Sequence, residues 1–299
     1  MTRPAPHLTR PGGATRLVSI CETELPLAPV LAGDRVALAL ITGVEGPSYR
    51  PVGAAMAISA EGEHWGSLSS GCIERDVVIH ARAALQDGAA RTLRYGAGSP
   101  FRDLVLPCGG GLDIAILPAP DRAKLAEARA ALQARRPALL ELGPLVLDIQ
   151  PQLRVLAFGK GPELRLFSAL AAAAGYPVES FSPDAETLAG LEGAQILSGK
   201  EWPAGLKADA RTAVTLFFHD HDWEPALLQA ALESPALYVG AQGSLRAHRA
   251  RCAELAARGV PAEAAVRLAA PFGLIPSVRD PRTLAASVLA QVLEAARLA

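Results

Sequence analysis

From Leu153 onwards the sequence alternates between segments typical of β-strands and segments typical of α-helices. The apolar run Val155–Phe158 predicts a strand, Leu164–Ala174 a helix and Val178–Phe181 the next strand. The alternation continues with strands at Ala213–Phe218 and Leu237–Val239 and helices at Glu224–Leu232, Leu245–Ala257 and Pro281–Ala296. This order favours a parallel sheet, because the crossover between two parallel strands usually contains a helix. We therefore predict a Rossmann-like, doubly wound α/β domain over residues 151–299.

The first part of the chain has a different pattern, with short strands, turns and one helix. The strands are predicted at Val36–Thr42, Ala54–Ser59, Glu63–Leu68 and Leu112–Leu117, and the helix over Cys72–Gln86. We expect a smaller α+β domain over residues 15–120. An Ala-rich helix over Asp121–Arg136 and a strand-like run over Leu139–Ile149 follow, and we interpret residues 121–150 as a connector.

Charge and hydropathy exclude several classes of protein. A length of 299 residues fits two domains, and 29 Lys and Arg balance 30 Asp and Glu to give a net charge of −1. The chain therefore has no global basic field to bind nucleic acid or an anionic membrane. No apolar run reaches the ~20 residues of a membrane span, and residues 1–15 lack the apolar core of an export signal. We expect a cytoplasmic protein.

The four cysteines form no C-x-x-C pair, so the sequence contains no zinc or redox motif of that kind. Without an export signal, disulfides are not expected. We interpret Cys21 and Cys252 as small buried hydrophobes. Cys72 and Cys108 differ from them because each adjoins a glycine-containing loop.

Cys72 follows the small-residue loop G-S-L-S-S-G and is predicted to lie in the first turn of a helix. Ser70 or Gly71 can cap that helix, and the carboxylate of Glu74 can reach back to free amide groups. A helix start favours both a bound anion and a thiolate, because it carries unpaired N–H groups and a partial positive charge. The alternative is a well-capped helix on which Cys72 only packs, and these residues leave both interpretations open.

Cys108 precedes a run of three glycines, Gly109–Gly111. Because glycine has no Cβ, a ligand can approach the backbone of this run closely, and we expect an accessible thiol. The alternative is an ordinary turn before the next strand. Cys72 and Cys108 are 36 positions apart, so the sequence does not show whether both thiols face one ligand.

The turn after the first strand of the second domain resembles an incomplete dinucleotide fingerprint. Gly159 and Gly161 match its first two glycines, but Leu164 replaces the third. The following strand ends in Ser182 where an acidic residue normally binds a ribose hydroxyl, and Asp184 comes two residues later. We therefore expect the domain not to bind NAD or NADP.

Two further loops follow predicted strands of the second domain, at the sheet edge where such domains bind ligands. In H-D-H-D, His219 and His221 would give a metal only two ligands, so we favour a hydrogen-bonded rim over a metal site. Gly243 and Ser244 precede the next helix and either bind an anion or only cap that helix.

Seven segments, in order and spacing, resemble the XdhC/CoxI family over most of the chain: G-P-S-Y-R-P-V-G-A, G-S-L-S-S-G-C-I-E, P-C-G-G-G, G-K-G, F-H-D-H-D, V-G-A-Q-G-S and A-P-F-G-L. Members of that family bind the molybdenum cofactor, a molybdopterin, protect it during installation of its terminal sulfur and deliver it to xanthine dehydrogenase or related hydroxylases. The resemblance implies a carrier and insertion chaperone and not an enzyme. It also implies three partners, namely the apo-hydroxylase, a cysteine desulfurase-type sulfur donor and a second copy of the chain.

The resemblance further implies roles for individual residues. Cys72 and Cys108 would contact the cofactor or its molybdenum, Gly71 and Glu74 would shape the loop, and Arg50 would bind the phosphate. The rest of the predicted cofactor-binding set is Gly109, Gly110, Gly159, Gly161, Gly243 and Ser244. At Ser70 the family more often has glycine.

Two other classes of function remain open. An NAD(P)-dependent oxidoreductase would bind a nicotinamide cofactor in the second domain, and a scaffold would bind the target enzyme without any cofactor. The incomplete fingerprint argues against the first, and the two cysteine–glycine loops argue against the second.

Overall fold

A computed structural model describes residues 16–99 and 109–298. The chain divides into two compact units between Pro151 and Gln152. Each unit has its own sheets and its own apolar core, and each is described separately below. In the described ranges no helix combines the length and the apolar character needed to cross a membrane.

The first unit contains two sheets and three helices in the described residues. Its elements are β1 (Arg16–Cys21), α1 (Leu27–Ala32), β2 (Val36–Glu45), β3 (Ala55–Ser59), β4 (His64–Gly66), α2 (Glu74–Asp87), β5 (Arg91–Gly96), β6 (Gly111–Leu117), α3 (Arg122–Gln133), β7 (Ala138–Leu142) and β8 (Leu145–Gln150). Five strands form an antiparallel sheet in the order β4-β3-β2-β6-β5. The other three form a sheet in the order β1-β8-β7.

Strand β2 lies at the centre of the first unit and is apolar on both faces. Leu38 and Leu40 pack with α1, α3 and the three-stranded sheet. The alternate residues, including Ala39 and Ile41, pack with α2 on the opposite face. A strand covered on both faces has a continuous apolar run, which explains why β2 is predictable from sequence.

The segment 121–150, which we interpreted as a connector, lies within the first unit. It forms α3 and the hairpin of β7 and β8, and β8 pairs in parallel with β1. Gly143 has a φ of +55° in the hairpin turn, where glycine adopts the left-handed backbone without strain. The three-stranded sheet therefore depends on a pairing between the beginning and the end of this unit.

The second unit confirms the predicted Rossmann-like fold. Its elements are β9 (Arg154–Gly159), α4 (Pro162–Ala173), β10 (Val178–Ser182), α5 (Ala185–Leu188), β11 (Ala194–Ile196), β12 (Thr212–Phe217), α6 (Glu224–Glu233), β13 (Tyr238–Ala241), α7 (Leu245–Ala257), α8 (Ala262–Ala265), β14 (Leu268–Ala269) and α9 (Pro281–Leu298). All strand pairs are parallel, and the strand order is β11-β10-β9-β12-β13-β14. Successive strands are added on one side of β9 up to β11 and on its other side from β12 onwards, so the order of addition reverses between β9 and β12. This is the strand order of dinucleotide-binding domains, with the ligand crevice at the reversal.

Helices cover both faces of the parallel sheet. Phe167 of α4 and Val288 of α9 pack against one face. Leu228 of α6 and Leu255 of α7 pack against the other. The sheet is thus buried on both sides, as its continuous apolar strands predict.

Candidate functional site

Three loops of the first unit leave the same end of the five-stranded sheet. Glu45, the last residue of β2, pairs with Gly111, the first residue of β6, and Gly111 also pairs with Gly96 at the end of β5. On the other side, Met56 near the start of β3 pairs with Gly66 at the end of β4. The loop 46–54, the loop 67–73 that contains Cys72, and the segment entering β6 through Gly109 and Gly110 therefore share one edge.

The carboxylate of Glu74 organises the loop 67–73. Its Oε1 accepts hydrogen bonds from Ser67 Oγ at 3.0 Å, the Leu68 amide at 3.1 Å and the Ser69 amide at 2.8 Å. Its Oε2 accepts from Ser69 Oγ at 2.7 Å, from the Gly71 amide at 2.9 Å and from the Ile73 amide at 3.1 Å. The sequence predicts that the Glu74 carboxylate reaches back to free amide groups, and the structure contains these hydrogen bonds. Their number exceeds what the spacing of the residues suggests.

These hydrogen bonds keep Glu74 ionised although it is buried, at 6% exposure. Burial raises the pKa of the carboxyl, but the Ser69 hydroxyl and the amides of Ser69 and Leu68 outweigh it and lower the pKa to about 2 from 4.5. The loop therefore encloses a fixed negative charge at neutral pH.

The detailed prediction for the helix start is wrong in two respects. Helix α2 begins at Glu74 with Ile73 as its cap residue, so Cys72 precedes the helix, and neither Ser70 nor Gly71 caps it. The Ser70 amide donates to Ser67 Oγ and the Cys72 amide to Ser69 Oγ, so the six amides from 68 to 73 all have partners within the loop. These amides are not available to a phosphate.

Cys72 itself is exposed, and the residues before it have left-handed backbone. Ser70 has a φ of +61° and Gly71 a φ of +110°. A Cβ on Gly71 would meet no atom of the described residues within 4 Å. The serine at position 70 therefore occupies a conformation that glycine adopts more easily.

Gly110 allows the segment before β6 to pack against the loop 46–54. A Cβ at Gly110 would overlap the carbonyl oxygen of Pro47 and lie 3.0 Å from that of Glu45. Gly109 has a φ of +71°, and a Cβ there would meet no atom within 4 Å among the residues that the structure describes. Cys108 lies outside the described residues, so its predicted contact with the cofactor stays a prediction.

Arg50 lies in the loop 46–54 and forms an ion pair. Its Nη2 is 2.8 Å from Glu24 Oε2, and its side chain is 32% exposed. Ser48 Oγ donates to the Arg50 carbonyl at 2.8 Å and accepts the Arg50 amide at 3.3 Å. The predicted phosphate ligand is thus positioned by a carboxylate, and its role stays a prediction.

The glycine-rich turn of the second unit has fewer backbone donors than a complete dinucleotide fingerprint. Gly159 permits the close approach of β9 and β12, because a Cβ there would lie 2.5 Å from the Phe217 carbonyl oxygen. The Gly161 amide donates to Thr187 Oγ1 at 2.9 Å, and Pro162 has no amide hydrogen. The Gly161 amide is therefore already occupied, and the first position of α4 has no amide to offer a phosphate.

An acidic side chain also lies beside this turn. Glu163 Oε2 would be 3.5 Å from a Cβ on Gly161, and Glu163 Oε1 lies 3.4 Å from His219 Nε2. The Thr187 hydroxyl also donates to Asp184 at 2.6 Å and holds the pKa of that carboxyl below its usual value. The carboxylates of Glu163 and Asp184 thus both lie beside this turn, and the expectation that the domain binds neither NAD nor NADP stays a prediction.

The H-D-H-D segment forms a hydrogen-bonded rim, as favoured from sequence. His219 contacts Glu163, whereas His221 Nδ1 lies 3.1 Å from Glu224 Oε2, so the two imidazoles face different carboxylates. In the described ranges no group of three or more His, Cys, Asp and Glu residues is arranged to bind a metal ion.

A buried ion pair supports the loop of Gly243 and Ser244. Arg251 Nε and Nη2 bind the two oxygens of Glu224 at 2.6 and 2.8 Å, and Arg251 also donates to the Gln242 carbonyl. A Cβ on Gly243 would lie 3.0 Å from the Arg251 guanidinium, and Ser244 Oγ caps α7 through the Ala247 amide at 3.2 Å. Capping, the simpler alternative, accounts for Ser244.

Sequence reasoning missed several residues that build these sites. Ser67 and Ser69 complete the shell around Glu74, and their signal was a serine-rich loop before a helix that begins with Glu. The Glu224–Arg251 pair had no local signal, because the partners are 27 positions apart. Cys21 and Cys252 are partly exposed and not buried as interpreted, and the three cysteines in the described ranges are free thiols.

Comparisons with known proteins agree with the fold and with the motifs. The chain matches two family models, the XdhC and CoxI family over residues 30–96 and the XdhC Rossmann domain over residues 155–292. The molybdenum cofactor insertion chaperone PaoD of Escherichia coli (strain K12) is 31% identical over 285 residues, covering 88% of this chain and 84% of PaoD. The two models together match more than half of the residues.

A solved structure shows the same fold. The crystal structure of a xanthine dehydrogenase from Bacillus halodurans superposes with a TM-score of 0.73 and covers 93% of this chain and 96% of that one. Its identity of 22% supports similarity of fold alone. From the two family models and the identity with PaoD, the chain belongs to the XdhC and CoxI family.

Proposed function

We propose that this protein is a molybdenum cofactor insertion chaperone, which binds the cofactor and delivers it without catalysing a reaction. The observation that carries the proposal is the exposed thiol of Cys72, held on a loop that Glu74 fixes at the sheet end where the Gly109–Gly110 segment also lies. Family membership and the relative PaoD support the same role.

The residues at this sheet end fit one part of the cofactor better than another. A thiolate is a soft ligand and suits a sulfur-rich molybdenum centre. The enclosed charge of Glu74 and the occupied amides 68–73 do not suit a phosphate. We therefore place the molybdenum end at Cys72, with Cys108 assisting, and the phosphate near Arg50 in the adjacent loop.

Several finer points belong to the same proposal. The protein would keep the cofactor while its terminal sulfur is installed by a cysteine desulfurase-type donor, and pass it to the apo form of xanthine dehydrogenase or a related molybdenum hydroxylase. It would act in the cytoplasm, as a homodimer. The described fold fits a carrier, because an exposed thiol on a preformed loop allows both binding and release.

The two alternatives make different predictions about ligands. An NAD(P)-dependent oxidoreductase requires a phosphate site at Gly159–Gly161, where Thr187 occupies the amide and Glu163 contributes a carboxylate. A cofactor-free scaffold requires no accessible thiol at Cys72. Both alternatives predict that the protein retains neither molybdenum nor pterin.

The test is anaerobic loading with molybdenum cofactor, followed by gel filtration and assay of molybdenum and oxidised pterin per chain. We expect near-stoichiometric retention by the wild type and a loss of at least tenfold in Cys72→Ala. Cys252→Ala is the matched control, since it removes a partly exposed thiol from the other unit and should retain the cofactor. Full retention by Cys72→Ala would overturn the assignment of the thiol, and no retention by the wild type would overturn the function.

A further inference from the structure

Among the described residues, Tyr49 is the most exposed large hydrophobic side chain at the proposed binding edge. It lies in the loop 46–54, its exposure is 62%, and its ring has no hydrogen bond or ring contact within the described ranges. An exposed aromatic ring leaves apolar area in water that a flat ligand would cover. No part of the fold described above requires the ring at this position.

The backbone on both sides of Tyr49 is fixed, although its side chain is free. Ser48 Oγ donates to the Arg50 carbonyl at 2.8 Å, and the Arg50 guanidinium pairs with Glu24 at 2.8 Å. The Pro47 carbonyl packs against Gly110. A ring on such a loop loses little conformational entropy when a ligand covers it, so it is preorganised for binding.

The strand order places the Tyr49 loop between the other two loops of this edge. The loop 46–54 joins β2 to β3, the loop 67–73 follows β4 beside β3, and Gly109–Gly110 precede β6 beside β2. Neighbouring strands lie about 4.8 Å apart, so the three loops fall within roughly three strand spacings. A ligand whose metal end reaches Cys72 extends along this edge over the middle loop.

We propose that Tyr49 is a binding residue that stacks on the flat pterin ring of the molybdenum cofactor, an inference that rests on the proposed function. The chemistry matches, because a pterin is a planar heteroaromatic ring and stacks on an aromatic side chain as a nucleobase does. Cys72 then selects for the metal end, and Tyr49 for the organic end of the same ligand.

The experiment separates the two ends by using two probes, the molybdenum cofactor and its metal-free pterin form, each released anaerobically from a donor protein. We expect Tyr49→Leu to weaken binding of both probes about 10- to 100-fold, since base–aromatic stacking has that size. Tyr49→Phe keeps the ring and should stay within about twofold of the wild type. Cys72→Ala should weaken only the probe that contains metal.

Two further variants allow a misfolded protein, and a failure of the proposed function, to be distinguished from an error in the role of Tyr49. Ile79→Ala removes another exposed apolar side chain of this unit, at 65% exposure on α2, and should leave both affinities unchanged. Tyr49→Trp should give a fluorescence that either probe quenches. Wild-type affinity in Tyr49→Leu, with binding still dependent on Cys72, overturns the role of Tyr49 alone, whereas a wild type that binds neither probe overturns the proposed function as well.

Discussion

Glu74 Oε2 accepts a hydrogen bond from the backbone N–H of Gly71 at 2.9 Å. Glu74 is the first residue of α2, so its side chain binds the loop that directly precedes this helix. Cys72 lies between these two residues and is exposed. Its position is therefore set by its neighbours and not by contacts of the thiol itself. The carboxylate of Glu74 thus fixes the backbone on both sides of Cys72 and keeps a negative charge in the loop.

The first prediction concerns the substitution Glu74→Gln. The glutamine side chain carries no negative charge, and an NH₂ group replaces one of the two carboxylate oxygens. In the place of Oε2 this NH₂ group would face the Ser69 hydroxyl and the Gly71 amide, which are themselves donors. We expect the free energy of unfolding to fall by about 2–4 kcal/mol, measured by denaturant unfolding. Glu63→Gln, at an exposed position of the same unit, is the control and should change stability by less than about 0.5 kcal/mol. Equal effects of the two substitutions would contradict the role of Glu74.

The pH dependence of stability gives the second prediction. Because folding lowers the pKa of Glu74 from 4.5 to about 2, the ionised form stabilises the fold at pH values above about 4.5. That stabilisation is lost as the pH falls from about 4.5 towards 2. We expect the stability difference between wild type and Glu74→Gln to shrink across this window, in urea unfolding at pH 7, 4 and 3. A difference that is constant with pH would show that the carboxylate charge is not responsible.

The sequence predicts the second unit better than the first, and packing explains the difference. The central strands β9, β12 and β13 are buried on both faces, so their apolar runs are continuous and easy to identify, whereas the edge strand β11 is largely exposed and lacks such a run. In the first unit, β5 alternates partly or fully exposed residues with Leu93 and Tyr95, and within the described ranges β1 pairs only with the distant β8. Such strands depend on partners far along the chain, which local patterns do not reveal.

The candidate site shows the same limit at the level of single contacts. The three-residue spacing predicted the contact from Gly71 to Glu74, because this spacing recurs at helix starts. It did not predict that Ser67 and Ser69 would complete the shell and occupy the remaining amides. That outcome depends on the left-handed backbone at Ser70, which is a property of the folded loop.

The third prediction tests the packing of the two loops at Gly110. A methyl group in Gly110→Ala would overlap the Pro47 carbonyl, which is backbone and does not yield as a flexible side chain would. We expect a loss of about 3 kcal/mol in unfolding free energy. Gly109→Ala is the control, since it meets open space and adds only the strain of a left-handed alanine, about 1 kcal/mol. A larger cost at Gly109 than at Gly110 would contradict the described packing.

The fourth prediction concerns the buried pair of Glu224 and Arg251 in the second unit, with exposures of 1% and 6%. Arg251→Met leaves a buried carboxylate without its guanidinium, and Glu224→Leu leaves a buried guanidinium without its carboxylate. Each substitution should lower the free energy of unfolding by about 3–5 kcal/mol. The double variant removes both charges, so its loss of unfolding free energy should be far smaller than the sum of the two single losses.

The exposed pair Lys124–Glu141, with a separation of 3.4 Å, provides the reference for this double-mutant cycle. Its coupling energy should not exceed about 1 kcal/mol, because water screens both charges. We expect a coupling of at least 2 kcal/mol for Glu224 and Arg251, from denaturant unfolding of the four variants of each pair. A buried pair that couples no more strongly than the exposed one would show that Arg251 stabilises the Gln242–Gly243 loop through its carbonyl contact, and not through Glu224.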